Sequence, residues 1–191
     1  MDQLLHKIRQ RRVCEDHLPL GPRPVVQASG SSRILIIGQA PGTKVHETGI
    51  PWNDPSGDEL RRWLNMERDL FYNSGLIAIA PMGFCYPGRG RSGDLPPRPE
   101  CAPLWHEPLF KLMPNIELTL LIGQYAQKYY LKDKPKTLAE TVRNRDNFLP
   151  DYFPLPHPSP RNRYWRMQNT WFEQEVIPEL RERVKACRIE I

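Results

Sequence analysis

Short apolar runs alternate with amphipathic segments along this chain, and the alternation predicts its secondary structure. The runs RILIIG (33–38), GLIAIAPM (75–82) and IELTLLIG (116–123) are apolar and rich in β-branched residues, which is typical of buried strands. Glycine or proline lies at the end of each run. The segment DYFPLPHPS (151–159) is broken by prolines and predicts an irregular fourth strand.

Between these runs, apolar residues at helical spacing predict helices over 3–12, 55–64, 101–113, 124–131, 137–142 and 171–186. Ser56 precedes Glu59 by three residues, the spacing of a capping box at the start of the second helix. Pro103 lies near the first turn of the third helix, and Pro178 interrupts the last one. Residues 86–99 are too rich in glycine and proline for either element and predict a long loop.

Strands that alternate with helices predict an α/β fold. We expect a three-layer αβα sandwich with a central, mostly parallel four-stranded sheet, and one domain over residues 1–191. In such sheets, ligands bind beyond the carboxyl ends of the strands. GQAPG, GFCYPG, GQYAQ and HPSPRN follow the four predicted strands and are therefore the places to look for a site.

The composition narrows the class of protein. Hydrophobic residues make up 39% of the chain and charged residues 26%, as in soluble globular domains. The net charge of +5 mildly favours a polyanionic partner, although a solvated basic surface fits it equally well. No apolar run approaches the roughly 20 residues of a membrane span, and the first residues are polar and charged. We expect a cytoplasmic monomer whose four cysteines are thiols or metal ligands rather than disulfides.

The segment GQAPGTKVHETGIPWNDPSG (38–57) is the densest candidate for chemistry. Gly38 and Gly42 allow the backbone to approach a ligand closely, and Pro41 stiffens the loop. Trp52 offers a flat face on which a base could stack, worth about 1–3 kcal/mol. A glycine- and proline-rich turn around a core tryptophan would explain the same residues. The ending of a P-loop is absent.

The segment HPSPRN (157–162) combines an imidazole, a hydroxyl, a cation and an amide. His157 at a strand end could donate a hydrogen bond to a developing oxyanion. Ser159, Arg161 and Asn162 could bind the phosphates of a nucleic acid. A purely structural histidine is the alternative interpretation.

Taken together, the two segments resemble the motifs of the uracil-DNA glycosylase superfamily. GQAPG resembles its first motif and HPSPRN its second, His-Pro-Ser followed by a minor-groove loop. In the iron–sulfur branch, a Gly-x-Pro-aromatic unit follows the first motif after six residues, as GIPW does here, which places Trp52 where that branch has its base-stacking aromatic. The resemblance extends from about Cys14 to the terminal helix.

The resemblance implies a DNA glycosylase that flips a uracil or related deaminated base out of DNA and breaks its glycosidic bond. His157 would stabilise the departing uracil anion on its O2 side. Gln39 and the backbone of the first motif, with Gly38, Ala40, Pro41 and Gly42, would line the pocket. Arg161 and its neighbours would enter the minor groove and hold phosphates, and the Lys and Arg surplus would attract DNA.

The first motif departs from the family at its carboxylate. Where the classical motif has Asp or Asn, this chain has Ala40. The iron–sulfur branch also has Ala there, but it has Glu at the position of Gln39 and an acidic pair at those of Val45 and His46. The missing carboxylate must come from elsewhere.

Asp54, next to Trp52, is the favoured substitute, and Glu47 is the alternative. His46 is a second candidate general base, or else a solvated loop histidine. The Asn with which the branch reads the uracil amide falls at Pro81, so backbone groups near Met82 or Gly83 would have to read the base.

The cysteines also resemble those of the iron–sulfur branch in part. Cys85 and Cys101 are separated by fifteen residues, as are the last two cluster ligands of that branch. Cys14 matches the second ligand, whereas the first falls on Arg11, and His17 offers a substitute. The resemblance therefore implies a [4Fe–4S] cluster or zinc on Cys14, Cys85, Cys101 and His17. The alternative is that the cluster has been lost and the thiols are buried small hydrophobes.

Three hypotheses follow. The first is a DNA glycosylase without a required catalytic metal. The second is a binding module for damaged bases or nucleic acid on the same fold with weakened catalysis, motivated by Gln39, Ala40 and Pro81. The third is a metal-binding or nucleotide-processing domain that works through its cysteines and leaves both strand-end motifs unexplained.

Overall fold

The sheet of the computed structural model has four parallel strands, and the structure describes residues 1–73, 75–91 and 93–187. The strands are β1 (Ile34–Ile37), β2 (Ile77–Ile79), β5 (Leu118–Ile122) and β6 (Phe153–Leu155). They lie in the order β2-β1-β5-β6, with Ile36 of β1 beside Ile79 and Leu120. A short antiparallel hairpin of β3 (Arg89–Gly90) and β4 (Gly93–Asp94) lies in the predicted loop.

Helices cover both faces of this sheet. They are α1 (Asp2–Gln10), α2 (Thr43–Thr48), α3 (Pro55–Leu64), α4 (Arg68–Asn73), α5 (Cys101–Phe110), α6 (Gln124–Tyr130), α7 (Leu138–Arg143), α8 (Arg163–Gln168) and α9 (Ile177–Ala186). Three 3₁₀ turns, Glu15–His17, Arg145–Phe148 and Pro160–Asn162, and a π-helical segment, Phe172–Val176, complete the described elements. No helix in the described ranges is long and apolar enough to cross a membrane.

Side-chain alternation along β1 divides the core into two layers. Ile34 and Ile36 pack in one cluster with residues of α3, α4 and α9, whereas Leu35 and Ile37 pack in another with residues of α1, α5 and α6. The sequence of a strand that is buried on both faces is a continuous apolar run, because neither face is exposed to solvent. The predicted αβα sandwich and parallel sheet are confirmed.

Several local predictions are corrected. The capping box at Ser56 is wrong: Asp54 caps α3, and its side chain accepts a hydrogen bond from Gly57 N. The short helices α2, α4 and α8 were not predicted. The interruption at Pro178 is a change of hydrogen-bond pattern and not an end of the helix, because the π-helical segment Phe172–Val176 continues directly into α9 and Pro178 lies in the first turn of α9.

Candidate functional site

The main cavity lies beyond the carboxyl ends of β1 and β6, as the topology predicts. Its volume is about 350 Å³. Four segments form it: the loop after β1, the segment that leads into α3, the β3–β4 hairpin and the HPSPRN segment. The predicted residues found in its lining are Gly38, Gln39, Ala40, Pro41, Gly42, Trp52, Asp54, His157, Ser159, Arg161 and Asn162.

Trp52 occupies this cavity in an unusual backbone conformation. Its φ is 56°, in the left-handed region where a bulky residue is strained by about 1–3 kcal/mol. Two glycines leave room for it. A Cβ on Gly38 would lie 2.9 Å from the indole Cζ2, and a Cβ on Gly57 would lie 1.7 Å from the Trp52 carbonyl oxygen. The glycines of this segment therefore serve the placement of Trp52.

His157 lies against Trp52 at the end of β6. The two ring centroids are 5.5 Å apart and the ring planes are inclined by 36°. The side chain of Asn162 donates to the His157 carbonyl oxygen at 2.8 Å, and prolines flank the histidine on both sides. Both features restrict the backbone of His157.

The electrostatic environment keeps the His157 ring neutral. Burial lowers its pKa below the usual value, and the nearby Asp54 carboxylate opposes this in part. Since the ordinary histidine pKa is about 6.5, the imidazole is uncharged at neutral pH. Among the described residues, neither ring nitrogen has a hydrogen-bond partner, so the ring keeps both a donor and an acceptor for a ligand.

Asp54 supplies a carboxylate to the same cavity. Its Oδ1 accepts a hydrogen bond from Gly57 N at 2.8 Å, so the residue caps α3 while it lines the cavity. A second carboxylate, Asp94 from the hairpin, also lines the cavity, with its Oδ2 3.5 Å from where a Cβ on Gly42 would lie. Asp94 belongs to the segment 86–99, which was predicted as a loop and carries no recognisable motif, so no sequence signal identifies it.

Other predicted residues lie outside the cavity lining. His46 is buried near Tyr86, at 6.0 Å between ring centroids, and burial lowers its pKa. Glu47 is exposed on α2. The amides of Met82 and Gly83 donate to the Gly38 and Gln39 carbonyls at 2.9 Å each. These two amides hold the loop after β1, and their hydrogen atoms are not free to read a base.

The HPSPRN segment makes contacts across the mouth of the cavity. Ser159 accepts from Arg161 N at the start of the 3₁₀ turn, and an Arg161 Nη1 atom lies 2.6 Å from where a Cβ on Gly93 would be. On the opposite segment, the Gln39 side chain donates to the Leu95 carbonyl at 3.5 Å. The hairpin is thus in contact with both predicted motifs.

The cysteines gather in a different, much smaller cavity. Cys14, Cys85, Cys101 and Arg11 line it, whereas His17 does not. Burial raises the pKa of Cys85 to about 11 and that of Cys101 to about 12. Phe84 N donates to the Cys101 sulfur at 3.4 Å.

The described residues that line this small cavity do not form a complete ligand set for an iron–sulfur cluster or a zinc ion, because Arg11 stands where the fourth cysteine would be. The volume of the small cavity is about 30 Å³, against about 350 Å³ for the main cavity. In the described part of the chain, no group of three or more His, Cys, Asp or Glu side chains is arranged to hold a metal ion. Burial raises the pKa of all three thiols, Cys14, Cys85 and Cys101.

Comparison with known families agrees with the geometry of the main cavity. Residues 26–181 match the model of the Uracil DNA glycosylase superfamily. The match includes all four strands of the sheet and both motifs that line the cavity.

Proposed function

Because the chain belongs to the uracil-DNA glycosylase superfamily, we propose that it hydrolyses the N-glycosidic bond of uracil, or of a related deaminated base, in DNA. The observation that carries the proposal is the meeting of Trp52, His157 and Asp54 in one cavity at the carboxyl edge of the sheet. Together they supply a stacking surface, a neutral hydrogen-bond donor and a carboxylate.

Trp52 binds the flipped base. A base inside the duplex is out of reach of any side chain, so the nucleotide must rotate out of the stack first. In the cavity its flat face would stack on the indole, a contact worth about 1–3 kcal/mol. The fixed indole orientation limits the poses that the base can take.

His157 stabilises the leaving group. As the C1′–N bond lengthens, negative charge builds on the base and positive charge on the sugar. A neutral imidazole with an unused N–H can donate to the developing oxyanion without transferring a full proton. Because the backbone of His157 is restricted, its N–H is already in position when the negative charge develops.

Asp54 stabilises the sugar cation and orients the attacking water. Glycosidic hydrolysis generally passes through an oxocarbenium-like sugar that a carboxylate stabilises. Ala40 cannot provide this group, whereas the Asp54 carboxylate is held in place by Gly57 N. Asp54 therefore takes the place of the missing carboxylate of the first motif.

The surface that follows the second motif suits a DNA duplex. Ser159 and Arg161 would bind phosphates, and the adjoining helix α8 adds the exposed Arg163. Tyr164 and Met167 of α8 are 69% and 66% exposed. Exposed apolar side chains beside a flipping pocket can enter the gap that the flipped nucleotide leaves.

Excision assays on a panel of bases test the proposal. We expect the purified protein to produce abasic sites in oligonucleotides that contain uracil, hypoxanthine or xanthine, single- or double-stranded, and His157→Ala to produce far fewer. Alkaline cleavage followed by gel electrophoresis measures the product. The proposal would be ruled out if the wild-type protein produced no more abasic sites than His157→Ala on any of these substrates.

A binding module for damaged bases is the second candidate. It is favoured by two residues of the cavity lining: Ala40, where the classical motif has Asp or Asn, and Pro81, where the iron–sulfur branch has Asn. This candidate predicts specific retention of uracil-containing DNA without strand scission after alkali.

Arg11 replaces one of the four cluster ligands of the iron–sulfur branch, and a visible absorption spectrum tests whether the protein still carries a cluster. We expect freshly purified protein to lack iron and the brown visible absorption of iron–sulfur proteins, because Arg11 and a cavity of about 30 Å³ replace a complete ligand set. Arg11→Cys restores Cys-x-x-Cys and is the matched variant for anaerobic reconstitution. Stoichiometric iron in the wild-type protein would contradict the expectation.

A further inference from the structure

Arg61 is a buried cation that none of the proposed steps uses. It is 7% exposed on α3, and a buried charge is stable only when it is paired and hydrogen-bonded. Its Nη2 pairs with Asp58 at 2.5 Å, and its Nη1 donates to the Trp52 carbonyl at 3.2 Å and to the Tyr72 hydroxyl at 3.1 Å. The guanidinium also lies over the rings of Phe71 and Tyr72, at 5.5 and 5.6 Å from their centroids.

Tyr72 continues this network from α4. Its hydroxyl accepts from Arg61 and donates to the Pro51 carbonyl at 2.7 Å. Burial raises the pKa of Tyr72, so the hydroxyl keeps the proton that it donates. Two side chains from two helices therefore meet at the Pro51–Trp52 segment.

The two carbonyls that they hold flank the Trp52 α-carbon. The Pro51 carbonyl belongs to the peptide plane before Trp52, and the Trp52 carbonyl belongs to the plane after it. The orientations of these two planes are the φ and ψ of Trp52. Hydrogen bonds to both carbonyls hold the residue at its φ of 56°, which a tryptophan does not adopt by preference.

We propose that Arg61 and Tyr72 are positioning residues that lock Trp52 in its left-handed conformation and so fix the indole plane against His157. Without them, Trp52 relaxes to a negative φ and the indole leaves the orientation in which it meets a base. The inference rests on the proposed function for its kinetic readout, and it has a structural readout of its own.

The kinetic test is a double-mutant cycle. Tyr72→Phe keeps the ring and removes both hydrogen bonds of the hydroxyl, and we expect single-turnover excision to slow about tenfold or more. Tyr72→Phe should have no further effect in a Trp52→Ala background, because Tyr72 acts through Trp52. Tyr152→Phe, a partly buried tyrosine of a separate groove, is the matched control with unchanged activity. The inference would be overturned if the effects of Tyr72→Phe and Trp52→Ala on the excision rate were additive, or if Tyr72→Phe had the wild-type rate.

The structural test needs no catalysis. The indole N–H signal of Trp52 in a ¹⁵N–¹H spectrum is assigned by its loss in Trp52→Phe. We expect it to shift or broaden in Tyr72→Phe and in Arg61→Lys, and to stay in place in Tyr152→Phe. An unmoved signal in folded Tyr72→Phe overturns the inference, whereas an inactive wild-type protein overturns only the proposed function.

Discussion

His157→Ala is expected to slow single-turnover excision by about 10²–10³-fold, the usual loss for one preorganised oxyanion donor. The ring nitrogens make no hydrogen bond to the described residues, so His157→Ala breaks no internal hydrogen bond, although it removes the contact of the ring with Trp52. The fold should therefore survive with little change in melting temperature. His157→Gln, which keeps an N–H donor at a similar reach on a more flexible side chain, should retain part of the rate. His6→Ala, an exposed histidine of α1, is the control for histidine loss.

The pH dependence identifies the form of His157 that works. Burial lowers its pKa, so the neutral ring dominates above about pH 6.5. If the neutral ring is the donor, the rate should not fall between about pH 6.5 and 8. If the imidazolium were the donor, the rate would fall about tenfold per pH unit above its pKa. Such a fall, absent in His157→Ala, would contradict the assigned role.

The sheet was predictable because its strands are buried on both faces. Ile34 to Ile37 form a short, continuous apolar run that ends at a glycine, and such a run predicts a buried strand. Helices α2 and α4 were missed because each has only six residues and takes its stability from packing rather than from its own sequence. Local patterns carry little information about elements of that kind.

The site was predictable only where a motif carried it. Trp52 and His157 lie in recognisable segments, and the structure brings them to 5.5 Å. Asp94 and the support from Arg61 and Tyr72 depend on contacts between segments distant in sequence, which no spacing reveals. His46 was placed with the catalytic candidates because it falls where the iron–sulfur branch has an acidic residue, whereas α2 buries it outside the cavity lining.

Asp54 combines two roles that the sequence did not suggest together. The capping box directed attention to Ser56, whereas Asp54 holds the helix start and lines the cavity with the same carboxylate. One interaction with Gly57 N thus fixes both the beginning of α3 and the position of a charge. A single substitution can separate the two, because asparagine caps a helix as well as aspartate does.

Asp54→Asn is expected to reduce the single-turnover excision rate by about 10²–10⁴-fold, the usual contribution of a positioned acid or base. The amide oxygen can still accept from Gly57 N, so the melting temperature should barely change. Asp54→Ala should reduce the excision rate as much as Asp54→Asn does. It should also lower the free energy of unfolding by about 1 kcal/mol, because it removes the N-cap of α3 together with the charge. Thermal melts beside the kinetics separate the two effects.

The other carboxylates near the first motif serve as controls for this prediction. Glu47→Gln changes an exposed residue of α2 and should leave the rate unchanged. Asp94→Asn removes the second carboxylate of the cavity, whose Oδ2 faces Gly42. The Asp54 carboxylate partly opposes the lowering of the His157 pKa by burial, which indicates that Asp54 lies near the leaving-group donor. A large loss of rate in Asp94→Asn with near-normal rate in Asp54→Asn would transfer the catalytic role to the hairpin.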